Sequence, residues 1–275
     1  LIFTLKINDI NYIWINTVQY DRSSSAKRML TWLDFDRKLK KIHKIIDHKP
    51  DYVVISSLAL TTIRYGIYLK KKFKCKLIFE IRDIYPLTLT EELGFNKRHP
   101  LVLYFGRLEK KGYKSADLIT GTMPNLVSHV KEITKKDLNV FHSPLGIPQV
   151  WSESNTHISD LSINFPKNKF IVGYAGSMGK SNALDCFIET IKVMSKIDKD
   201  VYFILVGDGD MKSSFKNELK SFNNVSFEEK IPQKYVPDFL SKCDLLYLST
   251  HDSKVWKYGQ SMNKIIDYMM SEKPV

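Results

Sequence analysis

Short apolar runs alternate with longer amphipathic ones along the chain, and few folds tolerate that rhythm. Residues 11–16, 51–56, 76–81, 116–120 and 138–142 read as strands, and the pattern resumes at 170–175, 201–206, 225–228 and 244–249. Between them, residues 26–48, 58–72, 100–115, 124–133, 184–197, 211–222, 236–242 and 261–271 read as helices. In residues 26–48, Met29, Trp32, Leu33, Leu39, Ile42, Ile45 and Ile46 recur at helical spacing, with Lys38, Lys40, Lys41 and Lys44 on the other face. Strands separated by helices of this length imply right-handed βαβ units and parallel sheets.

The rhythm breaks once. Residues 143–169 hold Pro144, Gly146, Pro148 and Pro166 among many Ser and Asn, the composition of a linker. Charge changes at the same place. The chain has 275 residues and a net charge of +12, and residues 1–150 carry all of the excess, with 26 Lys/Arg against 14 Asp/Glu. The expected layout is therefore two Rossmann-like α/β domains, 1–148 and 169–275, joined by a linker over 149–168. The basic first half points to an anionic partner: nucleic acid, an acidic membrane surface or a phosphorylated substrate; a lysine-rich solubilising surface is the plainer alternative.

Other classes fall away. Fifteen Phe, 14 Tyr and 4 Trp supply ample surface for a core, against disorder. Cys75, Cys186 and Cys243 are too scattered for a zinc site or a disulfide framework. No run approaches the length of a membrane span. Basic residues are spread over several helices without a nucleic-acid motif, so nucleic acid is not expected as partner. Leu1 is no initiator Met, and Val275 stands where a new strand should begin, so a piece cut at both ends is expected.

Four motifs fall at strand carboxyl ends. Gly173, Gly176 and Gly179, followed by Lys180, let the backbone approach a ligand and offer N–H groups to phosphate. Their GxxGxxG spacing is not the dinucleotide fingerprint, and a tight turn remains the alternative. Gly207, Asp208, Gly209 and Asp210 close the next strand, either as a plain turn or as part of the same crevice. Ser261 suits an N-cap, which places Asn263 and Lys264 in the first turn of a helix, where the dipole favours an anion. Asp267 follows on the same face, ready to accept from ribose hydroxyls or simply solvated. Arg82 and Asp83 end a first-half strand, as a structural ion pair or as working groups.

In order and spacing, the segments EIRDIYP, GYAGSMGKSNALD, VGDGDMK, IPQKYVPDFLSKCDLLYLS and SMNKIIDYMMSEKPV resemble family 4 glycosyltransferases. The nearest subgroup resembles O-antigen and capsule N-acetyl-L-fucosamine transferases, and the likeness runs from about Arg28 to Val275. The resemblance implies a GT-B fold: α/β, two Rossmann-like domains facing a cleft, both incomplete here. It implies a retaining transferase that moves a sugar from a nucleoside diphosphate, UDP in the first instance, to a glycan on a polyprenyl diphosphate. No cofactor or metal is implied, and Asp208 with Asp210 reads as a turn. By the same resemblance Gly176, Ser177 and Lys180 contact the diphosphate, and Asp208 and Ile231 flank the base. Ser261, Asn263 and Lys264 hold the phosphates, Asp267 holds the ribose, and Arg82 and Asp83 stand on the catalytic, acceptor-facing side. Many members carry two glutamates eight residues apart here; Asp267 matches the second, and Gly259 stands in place of the first. Basic helix 100–115 carries Leu101, Leu103, Tyr104, Phe105 and Leu108 beside Arg107, Lys110, Lys111 and Lys114; with the basic run 70–76 it is expected to meet an anionic membrane surface, or else its apolar side is core and its lysines are solvated. A cytoplasmic enzyme, peripheral at the inner face of the membrane, follows. A truncated, non-catalytic nucleotide-binding subunit of the same fold is the competing expectation.

Overall fold

The computed structural model describes residues 2–19, 27–46, 48–149, 151, 161–259 and 262–275. It forms two compact units: Leu1–Pro144 with Ser253–Gln260, and Leu145–Asp252 with Ser261–Val275.

In the first unit, β1 (Ile2–Ile7) and β2 (Ile10–Ile15) form an antiparallel hairpin that is a two-stranded sheet by itself. The sequence reading had found only its second strand. α1 (Lys27–Leu39) follows. Then come β3 (Tyr52–Ser56), α2 (Ile63–Phe73), β4 (Lys76–Ile81), α3 (Leu87–Glu91), α4 (Pro100–Ser115), β5 (Leu118–Gly121), α5 (Leu126–Thr134) and β6 (Val140–His142). Strands β3 to β6 lie side by side in sequence order, all parallel.

Period-two alternation decides which face of this sheet is core. Along β4, Leu77, Phe79 and Ile81 are buried while Lys76 is exposed and Ile78 and Glu80 are half-buried. Against the buried face pack Val102, Phe105, Leu108 and Tyr113 of α4, spaced to share one side of a helix. Pro100 and His99 start that helix, the imidazole Nδ1 accepting from the Leu101 N–H at 3.2 Å. Gly112 lets α4 close on the sheet, since a Cβ there would come within 2.6 Å of the Phe79 ring. Phe105 and Leu108 are therefore core, the plainer of the two readings for this helix's apolar side. Leu103, Arg107, Lys110, Lys111 and Lys114 are exposed.

Two helices expected from the sequence are broken. The one read over 26–48 ends at Leu39 and resumes as a short 3-10 turn, Ile42–Lys44. The one read over 58–72 opens as a 3-10 stretch, Ser57–Thr62, with Ala59 off helical dihedrals at φ −128° and ψ 78°. Ser57 Oγ accepts there from the N–H groups of Arg82 and Asp83, at 2.9 and 3.0 Å. A neighbouring strand end thus competes with helix for that hydroxyl.

The second unit contains β7 (Phe170–Ala175), α6 (Asp185–Ile197), β8 (Val201–Val206), α7 (Lys212–Glu218), β9 (Val225–Glu228), α8 (Val236–Ser241), β10 (Leu245–Leu246) and α9 (Asn263–Met270). Its sheet is parallel, in the order β10-β7-β8-β9. Here both faces are covered, as a parallel sheet requires. Val172, Tyr174, Phe203 and Leu205 point to a core with Phe187, Ile191 and Phe215. Ile171, Ile204 and Val206 point to another, with Phe239, Leu240 and Tyr268.

One segment departs from the expected layout. The second domain was expected to run unbroken over 169–275, but Ser253–Gln260 belongs to the first unit. Its Val255 and Tyr258 are 4% and 3% exposed and complete the first unit's core. Burying two large apolar side chains is reason enough for the chain to make this excursion.

Candidate functional site

The second unit gathers most of the candidate residues at the carboxyl ends of β7 and β8 and the N-terminus of α9. The two glycine loops are laced by backbone hydrogen bonds: Gly176 N–H to Val206 O at 2.9 Å, Met178 N–H to Asp208 O at 2.8 Å, and Met211 N–H to Met178 O at 2.9 Å. Glycine is needed for this approach. A Cβ on Gly207, at φ +143°, would collide with the Gly176 carbonyl, and one on Gly176 would collide with the Lys264 side chain.

Lys264 is the centre of the arrangement. The helix starts at Asn263 with Met262 in the cap position, so Lys264 occupies the second helical position, close to the expected place. Its Nζ donates to Tyr174 Oη at 2.8 Å and to Asn182 Oδ1 at 2.6 Å, and lies 4.7 Å from the Tyr174 ring centroid. Tyr174 Oη in turn donates to the Ser177 carbonyl at 2.6 Å. Burial raises the Tyr174 hydroxyl pKa well above its ordinary value, so it remains a neutral phenol. Burial also lowers the Lys264 pKa to about 8. Among the described residues, no carboxylate lies within ion-pair distance of this ammonium. A half-buried cation held by neutral oxygens, beside a glycine loop and a helix N-terminus, is built to receive an anion.

Around it, Ser177, Lys180, Asp208 and Asn263 are exposed. The Asp208 side chain turns back to accept from the Gly209 N–H at 2.8 Å, which closes the turn. His251 contacts the Lys180 carbonyl, and Ser249 Oγ donates to the Asn182 carbonyl at 2.8 Å, so the segment after β10 braces the 180–182 loop. Asp267 accepts from Trp151 Nε1 at 2.8 Å; a ribose would share this carboxylate with the indole. Ile231 follows β9 and packs against the core that contains Val206. Ser261 lies outside the described residues. Arg82, exposed, and Asp83, half-buried, end β4 in the first unit.

Sequence reasoning missed Tyr174, Asn182 and Trp151. Asn182 sits in the glycine motif and Tyr174 in a strand whose alternation could have aimed it. Trp151 stands in the linker, where no periodicity points anywhere. A cavity of about 380 Å³ in the first unit, lined by Phe35, Leu39, Ile42, Val54, Ile55 and Leu69 among others, has no charged side chain and does not suit a diphosphate.

This fold is that of the GT-B glycosyltransferases: α/β, with parallel sheets. Residues 169–275 match the family described as glycosyl transferases group 1. Among solved structures, the chain is similar to Anabaena HepE in complex with UDP, at 16% identity and a TM-score of 0.58, covering 90% of this chain and 64% of HepE. It is similar to sucrose-phosphate synthase from Thermosynechococcus elongatus, at 14% identity and a TM-score of 0.71, covering 99% of this chain and 66% of the synthase. A trehalose-6-phosphate synthase studied for glycosyl transfer with retention is similar at 10% identity and a TM-score of 0.67, covering 98% of this chain and 72% of that one. The chain thus spans less than two thirds of HepE and of sucrose-phosphate synthase. No curated protein sequence matches it.

Proposed function

We propose that the chain is the greater part of a retaining glycosyltransferase whose second unit binds a nucleoside-diphosphate sugar, with UDP as the nucleotide. The observation that carries this is Lys264: a half-buried ammonium held by Tyr174 and Asn182, without a carboxylate among the described residues, at the first turn of α9. The diphosphate sits against it and the loop at Gly176, Ser177 and Lys180, with Asn263 beside it. Asp267 takes the ribose, and Asp208 and Ile231 flank the base. As the glycosidic bond breaks, negative charge grows on the leaving diphosphate; the Lys264 ammonium and the α9 dipole stabilise it in place. No metal is required for that step. Arg82 and Asp83 serve the acceptor side in the first unit. The acceptor is a glycan on a polyprenyl diphosphate in bacterial surface polysaccharide synthesis, met at the inner face of the cytoplasmic membrane. UDP bound in the HepE neighbour and retention in the trehalose-6-phosphate synthase support the reading.

The test is titration calorimetry of the chain with UDP, with and without EDTA. Binding is expected in both. Lys264→Ala is expected to weaken it by about 1.5–3 kcal/mol, the range for a hydrogen bond to a charged group. Unchanged affinity in that variant, or binding only with a divalent cation, contradicts the assignment.

A further inference from the structure

Trp151 lies in the proline-rich stretch before β7, yet both its backbone and its ring are fixed. Its backbone N–H donates to the Pro148 carbonyl at 3.0 Å. Its half-buried ring packs against the core of Ile171, Val206, Phe239 and Tyr268. From that seat Nε1–H donates to Asp267 Oδ1 at 2.8 Å, a short hydrogen bond to a carboxylate. Both residues belong to the second unit.

The backbone of Asp267 is already held by α9. The next residue, Tyr268, is 1% exposed, and its hydroxyl accepts from the Ala175 N–H at 3.2 Å, at the end of β7. Three residues before Asp267, Lys264 bonds Tyr174 and Asn182. The helix is thus tied to the strand end on both sides of Asp267. Only the side-chain torsions of Asp267 are left to settle, and the indole settles them.

A carboxylate offers two oxygens and about four acceptor positions. The indole takes one on Oδ1, and among the described residues no donor reaches Oδ2. Asp267 is half-buried, on the same side of α9 as Lys264 and about 4.5 Å of helical rise beyond it. A ligand whose phosphates lie on Lys264 therefore meets, one turn on, a carboxylate that is held still and open on one oxygen. An aliphatic or phenyl side chain would fill the same place in the core. What the indole adds is a donor. An aspartate that must stop rotating to meet a diol loses that freedom on binding, whereas one already held has lost it on folding.

We infer that Trp151 is a positioning residue for the ribose: its indole N–H holds Asp267 in the rotamer that accepts from the sugar hydroxyls, and so sets both nucleotide affinity and the reading of those hydroxyls. The inference rests on the nucleotide-binding reading above.

The experiment uses the whole chain and two ligands, UDP and 2′,3′-dideoxy-UDP, which keeps the uracil and diphosphate but offers Asp267 no hydroxyl. The wild type is expected to prefer UDP by at least about tenfold, the effect of a hydrogen bond to a charged group. Trp151→Phe keeps a ring in the core and removes the donor. It is expected to weaken UDP by about two- to tenfold, the cost of ordering one side chain, and to leave dideoxy-UDP within about twofold of the wild type. A purely structural role would weaken both ligands alike. Because phenyl is smaller than indole, benzothienylalanine at position 151, which keeps the indole shape and replaces its N–H by sulfur, serves as the second variant. It is expected to show the same selective loss with the wild-type melting profile. Asp267→Ala is expected to bind UDP no better than dideoxy-UDP. Equal weakening of the two ligands in both position-151 variants, or unchanged UDP affinity in both, overturns the inference. If the wild-type chain does not bind UDP, the nucleotide reading itself falls, and the inference with it. If Asp267→Ala abolishes the preference for UDP while the benzothienylalanine variant keeps it in full, the inference falls alone.

Discussion

Lys264 carries a testable conflict between burial and charge. Its pKa of about 8 lies below the ordinary 10.5, so the folded state binds this proton less tightly than the unfolded chain does. The burial penalty is present in full below pH 8 and is relieved as pH rises from about 8 to 10.5. An anion reverses the preference, since a diphosphate favours the charged ammonium and raises its pKa. UDP affinity is therefore expected to be highest below pH 8 and to fall as pH rises beyond it, with proton uptake on binding near pH 8. Calorimetry in two buffers of different ionisation enthalpy reads that uptake directly; binding with no proton exchange there would place the diphosphate away from Lys264.

At the scale of elements, the glycine loops after β7 and β8 are one structure rather than two. Gly207→Ala forces a side chain into the Gly176 carbonyl at a φ that side chains rarely adopt. It is expected to destabilise the second unit by about 1–3 kcal/mol and to lower UDP affinity as the loop shifts; a denaturant melt and a UDP titration check the two effects. Both loops were legible in the sequence because glycine at strand ends carries a steric meaning. β4 and α4 were legible because their own periodicity agrees with the burial they find, and β7 and β8 because a short continuous apolar run suits a strand covered on both faces. What was not legible depends on partners distant in sequence. Ser57, two residues before the kink at Ala59, gives its hydroxyl to the strand end at Arg82 and Asp83. Trp151 finds Asp267 116 residues away. Ser253–Gln260 looked like part of the second domain because sequence order says nothing about which core Val255 and Tyr258 fill.

For the molecule as a whole, charge and architecture divide the labour. The exposed row Arg107, Lys110, Lys111 and Lys114 on α4 survives as a basic surface, while most of that helix's apolar face is core. Membrane attachment through it would then be electrostatic more than insertional. Co-sedimentation with anionic vesicles is expected at low salt and to be lost as the Debye length shrinks from about 10 Å at 0.1 M to about 3 Å at 1 M; retention at high salt would point to insertion instead. No helix among the described residues is long and apolar enough to cross a membrane. The excursion of Ser253–Gln260 also has a consequence for biosynthesis. A growing chain usually completes its N-terminal domain first, at about 5–20 residues per second. Here the first unit cannot close its core when Pro144 leaves the ribosome, because Val255 and Tyr258 have yet to be made. It must wait on the order of ten seconds with a gap beside His129, while the second unit's strands emerge. The later-made half therefore finishes the earlier one.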